Sequence, residues 1–200
     1  MTITTSGIFE GIAALSQVVI AGSVSAGVWV AYRQLGSWRT ESQLTKRAVV
    51  AEELISAVHE ADEALRFVRS PWSSVPADNL SNKMPSQWRE RLVRLDKRRD
   101  DFLRLRRAQT RCRAFIGDSD VDASVEELFK IRQSVWAALE TLDSGTEDGG
   151  DEELREFYLG LSWKVWGGYN ERDKLGLCQE AALSTIEDRL YPILRLQSSN

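Results

Sequence analysis

Apolar positions recur at three- and four-residue spacing through most of this chain. No stretch alternates with the period of two that a half-buried strand requires. From about Thr40 to Arg69, the residues Leu44, Ala48, Ala51, Leu54, Ile55, Val58, Ala61, Leu65 and Val68 form one long stripe and predict a helix. Ser70-Pro71 ends it, because proline disfavours helix in the residue before it. The segment 70–86, with Pro71, Pro76 and Pro85 among serines and asparagines, reads as a loop. A second helix is predicted from about Gln87 to Phe115, with Trp88, Leu92, Leu95, Phe102, Leu105, Ala108, Cys112 and Phe115 inward. Gly117 supplies a stop, and Asp118, Ser119 and Asp120 are cap candidates for the next helix. That helix carries Val125, Leu128, Phe129, Ile131, Val135, Trp136, Leu139 and Leu142. An acidic, glycine-rich linker over 143–153 precedes a short aromatic helix from about Glu152 to Trp166. The last helix runs from Asn170 to about Leu196, with a kink expected at Pro192.

The N-terminal pattern is different. Gly11 to Tyr32 is an uncharged run of 22 residues. As a helix it spans roughly 33 Å, the thickness of a bilayer's hydrocarbon core. The chain therefore reads as 1–10, a short non-cytoplasmic N-terminus; 11–32, a transmembrane signal anchor; and 33–200, a cytoplasmic helical domain. A buried helix of a soluble domain is the alternative, though such helices seldom run this long without a charge. A cleaved signal peptide fits less well, since Met1–Phe9 has no Lys or Arg and the apolar run continues past Ala26. Arg33, Arg39, Lys46 and Arg47 follow the run and set the orientation: N-terminus out, remainder in the cytoplasm. Trp29, Tyr32 and Trp38 stand at that end as interfacial anchors. Ala13, Ser16, Ile20, Ser23 and Gly27 share one helical face, a small-residue stripe suited to self-association of the span.

The fold class expected is thus all-α, an N-terminal transmembrane helix followed by a four- to five-helix cytoplasmic bundle. The 200 residues suffice for one domain and an appendage. A net charge of -4 argues against a protein that coats nucleic acid with its whole surface. Charge is nevertheless polarised: residues 87–115 hold eleven Lys or Arg against four Asp or Glu. Within that run Arg98, Arg99, Arg104, Arg106, Arg107 and Arg111 are the candidate basic contact surface. It would face anionic lipid or an acidic protein partner, or be absorbed by carboxylates of neighbouring helices. Nucleic acid ranks last as a partner, because no stacking aromatics interleave the basic run.

Little here points to catalysis. One histidine in the whole chain removes multi-histidine metal sites. His59 and Glu63 share a helix face, but no Glu-x-x-His pair accompanies them, so His59 is expected to be solvated. Cys112, between Arg111 and Arg113, sits on the apolar stripe and is expected to be a buried structural thiol. Two cysteines fit a reducing compartment. Phosphate-loop, nucleophile-elbow and dinucleotide motifs are absent from the sequence. No catalytic residue, cofactor site or metal site is assigned.

The segments Tyr32-Arg33-Gln34-Leu35, Trp38-Arg39, Ala51-Glu52-Glu53-Leu54, Ala64 to Pro71, Arg104 to Phe115, Leu128 to Arg132 and Ile186 to Pro192 carry one resemblance. Together the chain resembles a broad family of uncharacterised bacterial single-pass membrane proteins with a cytoplasmic helical domain. The resemblance implies topology and bacterial origin and brings no catalytic residues. The expectation is a non-enzymatic, membrane-anchored interaction module that presents its bundle to a protein partner. The alternatives are a self-associating, membrane-damaging effector and, third, an enzyme with an unrecognised helical site.

Overall fold

A computed structural model describes residues 5–70, 87–145, 152–167 and 173–197, with side chains at 17, 22–34, 38–39, 41–70, 87–145, 152–167 and 173–195. Six helices occur among these residues, and no strand does. They are α1 (Thr5–Arg69), α2 (Gln87–Lys97), α3 (Arg99–Phe115), α4 (Ser119–Ser144), α5 (Glu152–Val165) and α6 (Lys174–Gln197). The chain divides into two compact units, Met1–Thr45 and Lys46–Asn200.

In the first unit every described side chain is exposed, Val24, Val28, Trp29, Val30 and Tyr32 included. Among the described residues no helix is long and apolar enough to cross a membrane. Within the uncharged run, side chains are described only at Gln17 and from Gly22 to Tyr32. The latter stretch rises roughly 16 Å as a helix, about half of a hydrocarbon core.

In the second unit the later part of α1 contributes a broad buried face. Ala51, Leu54, Val58, Ala61, Leu65 and Val68 are buried as the periodicity predicts, and so are Val50, Ala57 and Ala64. With Ala48 and Ile55, also buried, these positions cover about 200° of the helix, by the geometry of 3.6 residues per turn. Such a helix must be surrounded on more than one side. Its alanines let neighbouring helices approach, while the leucines fill the space between them. Leu95, Phe102, Leu105, Ala108 and Cys112 of α2 and α3, seven apolar residues of α4 from Val121 to Leu139, and Ala182, Ile186 and Leu190 of α6 complete one core. α4 packs against α2, α3, α5 and α6.

Several boundaries differ from expectation, for identifiable reasons. The helix expected over 87–115 is interrupted at Arg98, which lies at φ -95°, ψ 13° and accepts at its carbonyl from the Asp101 N–H at 3.2 Å. Its guanidinium reaches Glu63 at 3.6 Å and Asp101 at 3.3 Å. The break thus points this side chain at α1 as well as at its own helix. The linker expected over 143–153 is shorter on both sides: Asp143 and Ser144 belong to α4, Glu152 and Glu153 to α5. Asp143 is held there by Arg89 of α2 at 3.2 Å. Residues 71–86 and 146–151, most of the expected loop and linker, lie outside the described residues. α6 continues helically through Pro192. Leu44 and Phe115, placed on the inner stripe by spacing, are exposed.

Local chemistry fixes the α3–α4 corner. Gly117 takes a positive φ of 72°, and its N–H reaches the Cys112 carbonyl at 3.1 Å. Asp118 then caps α4, its Oδ1 accepting from the N–H groups of Asp120 at 2.9 Å and Val121 at 3.1 Å.

Candidate functional site

The arginine-rich α3 lies between two carboxylate-bearing helices, and most of its charge is used there. Toward α1, Arg111 pairs with Glu53, Arg104 with Glu60 at 3.0 Å, and Arg98 with Glu63 at 3.6 Å. The numbers rise on one helix as they fall on the other, so the two elements run antiparallel and zip together. Toward α4, Arg106 pairs with Glu126 and Arg113 with Asp122 at 2.7 Å. Gln109, buried between them, donates to Asp122 at 2.9 Å and Glu126 at 3.0 Å and accepts from Arg106 at 2.8 Å. Hydrogen bonds from Arg106 and then Gln109 hold the Glu126 carboxyl below the usual carboxylate range. The Asp122 carboxylate raises the pKa of Arg113 above its ordinary value.

Four of the six candidate contact arginines, Arg98, Arg104, Arg106 and Arg111, are therefore engaged within the bundle. Arg99 and Arg107 have no carboxylate at ion-pair distance among the described residues. Arg107 lines an open pocket of about 280 Å³ with Glu53, Ser56, Glu60 and Arg104.

Arg99 opens onto a larger groove of about 550 Å³, lined also by Asp96, Arg106, Phe129, Arg132, Gln133 and Trp136. Arg132 of α4 was not singled out by sequence, because its own helix is not basic. It lies over the Phe102 ring at 4.8 Å, and Arg106 lies over Phe129 at 3.7 Å. The two rings are themselves 6.2 Å apart. The Arg132 Nε is buried without a hydrogen-bond partner among the described residues. Burial, and then the like charge of Arg99, lower the Arg132 pKa against an opposing pull from Asp96. The groove therefore gathers guanidinium groups on an aromatic floor, with one carboxylate at its edge.

A second polar cluster joins the ends of four helices. Arg69 is 0% exposed and pairs with Asp173, 3% exposed. The same Asp173 Oδ1 accepts from the Gly176 N–H at 2.9 Å and so caps α6. Arg91 donates to the Val68 carbonyl at 2.6 Å and stacks over Trp166 at 4.2 Å. Burial, and next the charge of Arg94, bring the Arg91 pKa down to about 10, with Glu90 opposing. Gln179 donates to Asp62 at 2.5 Å, and the Gly167 N–H reaches the Arg69 carbonyl at 3.2 Å. This cluster closes the bundle.

The remaining candidates are placed as follows. His59 is half-exposed and meets Glu187 of α6 at 3.1 Å, while the described partner of Glu63 is Arg98. Among the described residues no group of His, Cys, Asp and Glu could hold a metal ion. Cys112 is buried, and its thiol is pushed up to about 11 by burial and then by Asp118 and Asp122. The flanking arginines do not activate it, since Arg111 and Arg113 are committed to Glu53 and Asp122. Ser23 and Gly27 are exposed, and a Cβ added at Gly27 would meet nothing within 4 Å. Side chains of Ala13, Ser16 and Ile20 lie outside the described residues. Trp29, Tyr32 and Trp38 are exposed, with Arg33 over the Trp29 ring at 5.7 Å.

Among the described residues the chain defines an all-α protein with a helical bundle over its second unit. No protein-family model, curated protein or solved structure matches it.

Proposed function

We propose that this protein is a membrane-held, non-enzymatic helical module that presents its bundle to a protein partner. The observation that carries the reading is the environment of the uncharged stretch of α1. Val24, Val28, Trp29, Val30 and Tyr32 are all exposed, Trp29 at 62% and Tyr32 at 80%. Large side chains of this kind on one helix leave an apolar surface that water disfavours and that a lipid or protein environment removes. Arg33, Arg39, Lys46 and Arg47 follow directly and support the N-out orientation.

The bundle supports a binding role for two reasons. Its basic helix is spent on internal pairing, which leaves lipid or nucleic-acid contact through that helix a minor part. On α5, Leu159 and Trp163 are exposed one helical turn apart, with Phe157 also exposed. That is an apolar, aromatic surface of the type protein partners cover.

The test is fractionation of the full chain from its host. Retention in the membrane pellet through high-salt washing is expected, and Val24→Arg with Val28→Arg should move it to the soluble fraction. Two arginines cost about 5–7 kcal/mol at mid-membrane. A wild-type chain recovered in the soluble fraction would overturn the anchor. Capture after gentle solubilisation should bring down one stoichiometric protein, lost in Leu159→Ser with Trp163→Ser.

The open space around Gly27 favours one further reading, a span that self-associates. A fixed homo-oligomer in native mass spectrometry, dispersed by Gly27→Leu, would establish it in place of the adaptor.

A further inference from the structure

We propose that the groove between α3 and α4 binds a phosphorylated small molecule of the nucleotide class. Its phosphate would lie between Arg99 and Arg132, with its planar ring against Trp136. The argument begins with charge. This chain has 30 Asp and Glu against 26 Lys and Arg, and carboxylates meet most arginines of α3. Yet no carboxylate lies at ion-pair distance from Arg99 or Arg132 among the described residues, although Asp96 lines the same groove. Two guanidiniums face one opening in which Asp96 is the one lining carboxylate, and Arg132 is half-buried. A phosphate dianion is the ligand whose charge and bidentate geometry two guanidiniums match best.

The rest of the lining narrows the class. About 550 Å³ is far more than a free phosphate fills and falls in the usual range for a small-molecule site. Phe102 and Phe129 are already covered by Arg132 and Arg106, which leaves Trp136 as the lining aromatic without a described guanidinium over it. Asp96 and Gln133 add a carboxylate acceptor and an amide at the edge. A plain anion would be repelled by Asp96. A nucleotide offers that carboxylate its sugar hydroxyls and ring amine while keeping phosphate on the arginines.

The experiment is calorimetric titration of the full chain in detergent with adenosine diphosphate. Adenosine, inorganic phosphate and phosphatidylglycerol vesicles serve as comparison probes. The diphosphate should bind saturably, and adenosine and phosphate should each bind at least roughly tenfold more weakly. Arg99→Glu should weaken the diphosphate by a similar factor without moving the melting curve, because Arg99 is exposed and unpaired within the bundle. Arg132→Lys and Trp136→Leu should weaken it as well. Absence of a saturable signal at millimolar diphosphate, or unchanged affinity in Arg99→Glu, would overturn the proposal. So would phosphate binding as tightly as the diphosphate, or Arg99-dependent binding of the vesicles alone.

Discussion

Replacing Asp173 by alanine removes an ion pair and a helix cap at once. It strands the Arg69 guanidinium, which is 0% exposed, and it takes the acceptor away from the Gly176 N–H at the start of α6. Removing one partner of a buried ion pair typically costs 3–5 kcal/mol, because the other charge is left without compensation. Loss of a helix cap adds about 1 kcal/mol. A domain of this size has only about 5–15 kcal/mol in total, so Asp173→Ala should leave the bundle marginal. Arg69→Met should cost about the same as loss of the pair alone, since Asp173 keeps its cap. The double change Arg69→Met with Asp173→Asn removes both charges and retains a capping oxygen. It should cost much less than the sum of Arg69→Met and Asp173→Asn measured singly, with a coupling of about 2–3 kcal/mol. Urea unfolding of the full chain, followed by circular dichroism, gives all the free energies of the cycle. Additive single changes, or an Asp173→Ala cost below about 1 kcal/mol, would refute the assignment of this pair as the closure of the bundle.

Three further outcomes are expected. Native protein at pH 8 should expose one reactive thiol, Cys178, to an aromatic disulfide reagent, and a second, Cys112, only in denaturant. The raised Cys112 value also means that its stabilising contribution is complete below pH 9 and is lost as pH rises from there to about 11. The depressed Glu126 carboxyl has the opposite sign: its contribution is present above pH 4.5 and is lost as pH falls through its folded value. Arg106→Ala should therefore flatten the acid limb of a pH–stability curve. Asp118→Ala should destabilise by about 1 kcal/mol, because two N–H groups at the start of α4 lose their acceptor. A melting temperature unchanged in that variant would contradict the cap.

The helices themselves were largely legible. Periodicity placed Ala51 to Val68, Leu95 to Cys112 and Val125 to Leu142 in the core, and Asp118 was readable as a cap because side-chain chemistry at a helix start is local. The break at Arg98 was not, since nothing in Lys97-Arg98-Arg99 forbids helix. The α1–α3 pairing had a readable trace. Glu53 and Glu60 are seven residues apart, as are Arg104 and Arg111, a register that suits antiparallel helices. The groove had none, because Arg99, Arg132 and Trp136 lie on two helices whose relative rotation sets the site. Burial of Arg69 and Asp173 was equally invisible, since charged residues near a loop read by default as solvated.

The contact between Asp62 and Gln179 spans 117 residues of chain, and that between Arg69 and Asp173 spans 104. Both join α1 to the N-terminal part of α6 or its cap, the last helix among the described residues. During synthesis, α1 therefore leaves the ribosome well before the element that covers part of its apolar arc. Contacts of such long sequence separation form late, after the entropy of closing the intervening chain has been overcome. Until then the exposed arc is a target for chaperones and proteases. Truncation within α6 would make that vulnerable interval permanent.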